Sequence, residues 1–389
     1  MRYALAVFIL LCLKATASVE DYEDIDIGIL RDYRPEVVQI IPEQGAYALI
    51  ADGKNLGTMR PGDRVSMSLT NQKIKVNFPK ESLGMFRDVR LMALNDSSFF
   101  RIYLLAPNPG EQVYDDHLLV RPASQNLVLI NRVDLEKYIA GVVEAETGKE
   151  KDLEFYKVQA VISRTYALSN RRKHLSKGFN LSDGVDSQVY HGKCRWEPLI
   201  LEAVEETRGK VLVDSEMKLI TAAFHSNSGG ETIGSEMVWS GPLPYLSPRK
   251  DEFSLMGEHY DWEVTIPKSE WLEYLRDSFD LPIEDKLIAM MATNYEQKNR
   301  QVFFIDPVFG VPLTKIRADY DLNSTYFDIS ESGDSVRFEG RGFGHGAGLS
   351  QEGAMRMADL GFLYTDILHF YYDDVHLIDL RALEFFLEE

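Results

Sequence analysis

The hydrophobic periodicity changes once along this chain, and that change constrains the fold more than any single motif. From Ile25 to about Val120 apolar residues recur in short strand-like runs: "YALIADGKNLGTM", "RVSMSLT", "KIKVNF" and "FRIYLLA". Asp-Gly, Pro-Gly and Asn-Pro-Gly turn signals separate them. Near Asn131 the spacing becomes helical. In "NRVDLEKYIAGVVEAE" the residues Leu135, Tyr138, Ile139, Val142 and Val143 share a face, with Asp134 or Asn131 as N-cap and Thr147-Gly148-Lys149 as the stop. A second helix, "DLEFYKVQAVISRTYALSNRRK", is apolar on most sides and reads as buried. Strands and helices then mix without regular βαβ alternation, which predicts an α+β fold. The expected division is a β-rich N-terminal domain over 18–120, a mixed α/β core over 121–380 and a short tail over 381–389.

The first residues read as a leader. Arg2, an apolar run from Ala4 to Leu13 and Ala15-Thr16-Ala17 predict a signal peptide, residues 1–17, cleaved after Ala17, hence export to the periplasm or cell-wall space. No permanent membrane span is expected. Of the 2 cysteines, Cys12 would leave with the leader, so Cys194 would stand alone and packing must supply the stability. The formal net charge of −19 argues against nucleic acid as a partner, because a phosphate backbone needs a basic surface.

Several side-chain constellations suggest chemistry. Glu144 and Glu146 close the first helix, about 200° apart around its axis, so at most one can act on a given bond. A carboxyl at a helix C-terminus sits near the negative dipole end, which suits a general acid. Lys157 and Arg164, two turns apart on the buried helix, need partners. They form either a structural ion pair or a cationic face that orients Glu146 and a ligand. "FHSNSGGE" places His225, Ser226 and Ser228 at a strand end before two glycines, which let a ligand approach the backbone. His191 and Cys194 resemble half of a zinc site whose other ligands would have to be His or Asp from elsewhere; the expectation is no cofactor, with zinc at this pair as the alternative.

In "GRGFGHGAGLSQEGA" glycine occupies every second position from 340 to 348, and part of the run satisfies a dinucleotide pattern. Only 49 residues follow Gly340 in the 389-residue chain, too few to build a sheet after the loop, so the pyrophosphate reading fails on context. An extended Gly340–Gly348 would project Arg341, Phe343, His345 and Ala347 to one side and leave the other bare. Ser350 is placed to cap a helix that Gly361 ends.

Taken in this order, "YIAGVVEAE", "KVQAVISRTYAL", "FHSNSGGET" and "GRGFGHGAGLSQEGA" resemble the stage II sporulation protein D (SpoIID)/LytB family of bacterial cell-wall proteins. The resemblance implies a peptidoglycan lytic transglycosylase that cleaves the MurNAc-GlcNAc β-1,4 bond without water and leaves a 1,6-anhydro end. It assigns the single catalytic carboxyl to Glu146. It gives Lys157, Arg164, His225, Ser226, Ser228, Asp251, His345, Ser350 and Gln351 binding or supporting roles along a glycan groove. The alternative it implies is a non-catalytic glycan-binding factor that activates a cell-wall amidase. Two positions depart from the family: Thr147-Gly148 stands where Met-Pro is usual, and Glu352 where an aromatic is common.

Overall fold

A computed structural model describes residues 24–105, 110–239 and 241–380. The leader of residues 1–17 and the tail of 381–389 lie outside the described residues. Two antiparallel sheets dominate the first third, as the period-two runs require. One has six strands in the spatial order Gln112–Asp115, Phe99–Leu104, Val37–Gln44, Val65–Thr70, Lys73–Phe78, Glu81–Phe86. The other has seven: Leu181–Ser182, Asp24–Ile29, Leu127–Asp134, His117–Pro122, Val89–Ala93, Tyr47–Ala51, Lys54–Met59. Alternation sets the faces: Val65, Met67, Ile74 and Val76 are buried while Lys73 and Lys75 are exposed. The Asp52-Gly53 pair links two strands with both residues at positive φ, the turn whose twist suits a hairpin.

The seven-stranded sheet runs across the expected division at residue 120. Asp24–Ile29 pairs antiparallel with Leu127–Asp134 and parallel with Leu181–Ser182. His117–Pro122 pairs with Leu127–Asp134 as well. Residue 120 therefore sits inside a strand, and the sheets share one hydrophobic core with the helices that follow.

Helix α1 (Leu135–Thr147) continues directly from the sheet, and the Asp134 carboxylate caps it by accepting from Lys137 N at 3.0 Å. Asn131, the other cap candidate, is buried instead, donating to the Asp115 and His117 carbonyls at 2.8 and 3.0 Å. Helix α2 (Leu153–Ser169) is buried along most of its surface, as its all-round apolarity predicts, and packs against α1 and α3 (Pro198–Glu206).

Between Asp261 and Arg341 the chain builds a second core that the division into two parts did not anticipate. Strand Ser335–Arg341 lies between Asp261–Pro267 and Phe327–Ser332. Helices α4 (Lys268–Phe279), α5 (Lys286–Thr293) and α6 (Leu313–Asp319) complete this insert around Trp271, Phe304, Phe327 and Phe338. The chain then returns to the first core through α7 (Gln351–Asp359) and α8 (Tyr364–Tyr371), and His376–Asp379 pairs with Lys210–Val213. The architecture is α+β. No helix among the described residues is long and apolar enough to cross a membrane.

Candidate functional site

Glu146 hangs from the last turn of α1 against the segment 183–196. That segment lies directly on the helix because position 141 is glycine: a Cβ there would run into the Gly192 carbonyl and the Tyr190 ring. The close approach brings Val189 N–H to Glu146 Oε1 at 3.0 Å. Burial raises the Glu146 carboxyl above the ordinary glutamate range, and the Val189 N–H offsets part of that rise. Oε2 has no hydrogen-bond partner among the described residues.

Glu144 turns away from Glu146, as the helical rotation requires, yet reaches the same segment further on. It accepts from Trp196 N at 2.6 Å, Arg195 N at 3.1 Å and the Cys194 thiol at 3.4 Å. Three donors hold it as an anchor. Burial and the neighbouring Glu144 push the Cys194 thiol upward, so without a metal it is protonated at neutral pH. No group of three or more His, Cys, Asp or Glu side chains with metal-site geometry occurs among the described residues.

Beside this anchor lies a cleft of about 620 Å³, lined among others by Asp183, Glu144, Ala145, Val189, His191 and Trp196. Glu146 is not itself one of the lining residues; the cleft reaches its chain neighbour Ala145 and its hydrogen-bond partner Val189. Trp196 is 56 % exposed, with the Arg195 guanidinium 4.6 Å and the Lys149 ammonium 5.0 Å from its ring centroid. An exposed ring held by two cations offers a flat apolar face to a ligand. Burial lifts the Asp183 carboxyl to about 6, against the Leu30 N–H that stabilises its anion. Sequence reasoning gave neither Trp196 nor Asp183 a role: a lone Trp and an Asp in a loop carry no spacing signal.

Lys157 and Arg164 do not orient Glu146. Arg164 is fully buried and donates through Nε to Glu136 Oε1 at 2.9 Å and through Nη1 to the Lys210 carbonyl at 3.0 Å. Glu136 lies ten residues before Glu146 on α1, about 15 Å along the helix. Lys157 pairs with Glu154 and Glu206, each at 2.6 Å. Of the two readings of these cations, the structural ion pair is the one observed. The antiparallel course of α1 and α2 explains it, because residue 164 lies opposite the start of α1 and not its end.

The glycine stretch is not extended. Gly342, Gly344, Gly346 and Gly348 all have positive φ, so beyond the strand end at Arg341 the run departs from a regular pleat, and each bare Cα faces protein. Gly344, at φ 114°, packs on the His225 Cβ, which a side chain there would meet at 2.6 Å. The neighbouring segment is bound in parallel register, Phe224 to Leu349 and His225 to Ser350. These glycines admit another stretch of this chain and leave no open face for a sugar.

Most predicted groove residues are consequently buried structural groups. Ser228 Oγ donates to Asp251 Oδ2 at 2.8 Å and lies 2.7 Å from Ser254 Oγ, and all three side chains are buried. Ser350 caps α7, accepting from Gly353 N, and also receives Ser228 N–H, both at 3.3 Å. His225 is buried with Nδ1 3.1 Å from the Ala347 carbonyl, and burial holds its imidazole neutral. Gln351 is buried, while Ser226 is half-buried and accepts Glu352 N–H through its carbonyl. His345 of this group lines a cavity that shares no lining residue with the cleft lined by Ala145 and Val189. Glu352, where an aromatic was expected, fastens a loop: it accepts from Asn227 Nδ2 at 2.6 Å and from His259 N at 3.2 Å.

The stage II sporulation protein family matches residues 123–213, the segment that carries α1, α2 and the 183–196 wrap. Over 280 residues the chain is 30 % identical to stage II sporulation protein D of Bacillus subtilis, covering 67 % of this chain and 78 % of that protein. It is 28 % identical over 274 residues to an uncharacterised protein of Brachyspira hyodysenteriae, covering 68 % and 72 %. It is 29 % identical over 285 residues to a Bacillus subtilis amidase enhancer, covering 60 % of this chain and 39 % of that longer protein. With the fold, the Glu146 cleft and these matches together, the chain belongs to the stage II sporulation protein D family.

Proposed function

We propose that this protein acts on the bacterial cell wall as a peptidoglycan lytic transglycosylase with Glu146 as its catalytic residue. The observation that carries the reading is the state of one carboxyl group: raised by burial, fixed through Oε1 by Val189 N–H, and left without a partner at Oε2 among the described residues, with Ala145 and Val189 beside it lining a cleft. A glycosidase that uses water needs two carboxyls, one as acid and one as nucleophile or base. A lytic transglycosylase needs only one. Protonated Glu146 gives its proton to the leaving glycosidic oxygen. The muramic 6-hydroxyl attacks C1, and the carboxylate so formed takes the hydroxyl proton as the anhydro ring closes. The Trp196 face is placed to stack on a sugar in the cleft. Export to the periplasm or cell-wall space follows from this substrate, and the family resemblance favours peptide-stripped glycan.

Mass spectrometry of peptidoglycan digests tests the proposal. The wild-type protein is expected to release anhydro-muramic products from stripped strands, and Glu146→Gln to lower that release at least about a thousandfold. Persistence of product in the variant removes Glu146 from the chemistry. Similarity to an amidase enhancer supports a second reading, a glycan-bound activator of an amidase. That reading predicts no anhydro product from wild type and a gain in amidase rate on adding the protein.

A further inference from the structure

In a chain of net charge −19, two arginines at the junction of the insert and the glycine stretch make no ion-pair contact with a carboxylate among the described residues, although Glu231 and Asp321 act on them from further off. Arg300 is 7 % exposed and bonds only backbone: Nε to the Glu231 carbonyl at 2.8 Å and Nη2 to the Ser228 carbonyl. Its Nη1 has no partner, and its guanidinium lies 4.9 Å from the Tyr326 ring centroid. Arg317, on α6, spends Nε on the Leu322 carbonyl at 3.1 Å, and its two terminal nitrogens bond nothing among the described residues. Burial depresses both guanidinium groups, Arg300 to about 10. The third arginine nearby is matched: Arg341 pairs with Asp328 at 3.3 Å.

Arg317 lines a cavity of about 270 Å³ together with Thr314, Gln301, Thr325 and the apolar Val302 and Leu322. His345 closes the side formed by the glycine stretch. Burial and the two arginines lower its imidazole to about 4, so it is neutral at physiological pH and the arginines supply the positive charge. The acid at this cavity, Asp321, is exposed and bonds no side chain among the described residues; its charge offsets part of the burial effect on Arg317 without contacting the guanidinium. Desolvating a guanidinium without a counter-ion is costly, and an anion in the cavity removes that cost. The planar fork of Arg317 suits two parallel hydrogen bonds to a carboxylate, and the apolar wall suits a carbon frame beside it.

We propose that this cavity binds the carboxylate of a small ligand, with Arg317 in direct contact and Arg300 reinforcing the field behind it. The site does not depend on Glu146 and goes beyond the lytic reading. In the cell wall two groups carry this chemistry: the lactyl carboxylate of a muramic acid without its peptide, and the C-terminal carboxylate of a peptide stem.

Calorimetric titration of the full chain with N-acetylmuramic acid, N-acetylglucosamine and acetyl-D-alanyl-D-alanine tests it. A carboxylate-bearing probe is expected to bind at least about tenfold more tightly than N-acetylglucosamine, and less tightly as salt rises. Preference for the muramic acid identifies the sugar source, and preference for the dipeptide the peptide source. Arg317→Gln should cost about tenfold or more in affinity and Arg317→Lys less, both with melting temperatures near wild type, because Arg317 makes a single backbone bond. Equal or absent binding of all three probes, or unchanged affinity in Arg317→Gln, overturns the site. Cleavage assayed on the same preparations separates the two ideas: intact cleavage without carboxylate preference removes this site alone, and carboxylate binding without cleavage removes the lytic reading alone.

Discussion

Glu146 and Arg164 show how two charged side chains on neighbouring helices come to opposite uses. The folded state favours protonated Glu146, because its carboxyl is raised by desolvation. The proton it must donate is therefore retained above the ordinary glutamate range, and glycan cleavage should fall as pH rises through the raised value. A profile of kcat/KM against pH checks this. The sign for stability is the same: the fold tolerates this group fully below the unfolded pKa and is penalised as pH rises through the folded one. Glu146→Gln should raise Tm at neutral pH, and the gain should vanish below the ordinary glutamate pKa, as thermal melts across pH will show. Arg164, by contrast, is buried and matched to Glu136. Arg164→Met leaves Glu136 buried without its cation and should cost about 3–5 kcal/mol in urea unfolding, while Arg164→Met with Glu136→Leu should recover much of the loss. The sequence showed that these cations needed partners. It could not show which, because pairing depends on how far α2 runs back along α1.

At the scale of elements, local chemistry was readable wherever one residue type settles the conformation. Asp52-Gly53 forms the hairpin turn its pair announces, Asp134 caps α1 and Ser350 caps α7. The matching turn at Asn71-Gln72 has no such signature. Gln72 adopts φ 58°, a left-handed conformation that costs an L-residue about 1 kcal/mol or more, and the strong pairing of its flanking strands imposes it. Gln72→Gly should stabilise the protein by about 1 kcal/mol, measured by chemical denaturation, with the fold unchanged. The glycine stretch failed in the opposite direction. Alternation of glycine with larger residues suggested a pleated strand with one bare face, whereas the backbone uses glycine for positive φ at 342, 344, 346 and 348. The two-residue period persists in the backbone, as alternating positive φ in place of the pleat of a strand.

For the whole molecule, the sequence by itself determined the buried character of α2, the α+β class and the succession of strand-like and helical stretches. Those properties are set within about a turn of helix or a pair of strands, where side-chain periodicity and capping act directly. Periodicity left Glu144 and Glu146 open, and only the family resemblance singled out Glu146. The tertiary structure alone decided that one sheet crosses residue 120, that the segment from Asp261 to Arg341 closes its own core around Trp271, and that Glu146 meets Val189. It also decided that His225, Ser228, Asp251 and Ser350 serve the interior, and that Trp196 and Asp183 line the cleft. Each of these contacts joins residues far apart in the chain. Burial and pairing at such distances depend on how whole elements pack, and local patterns carry no record of that packing.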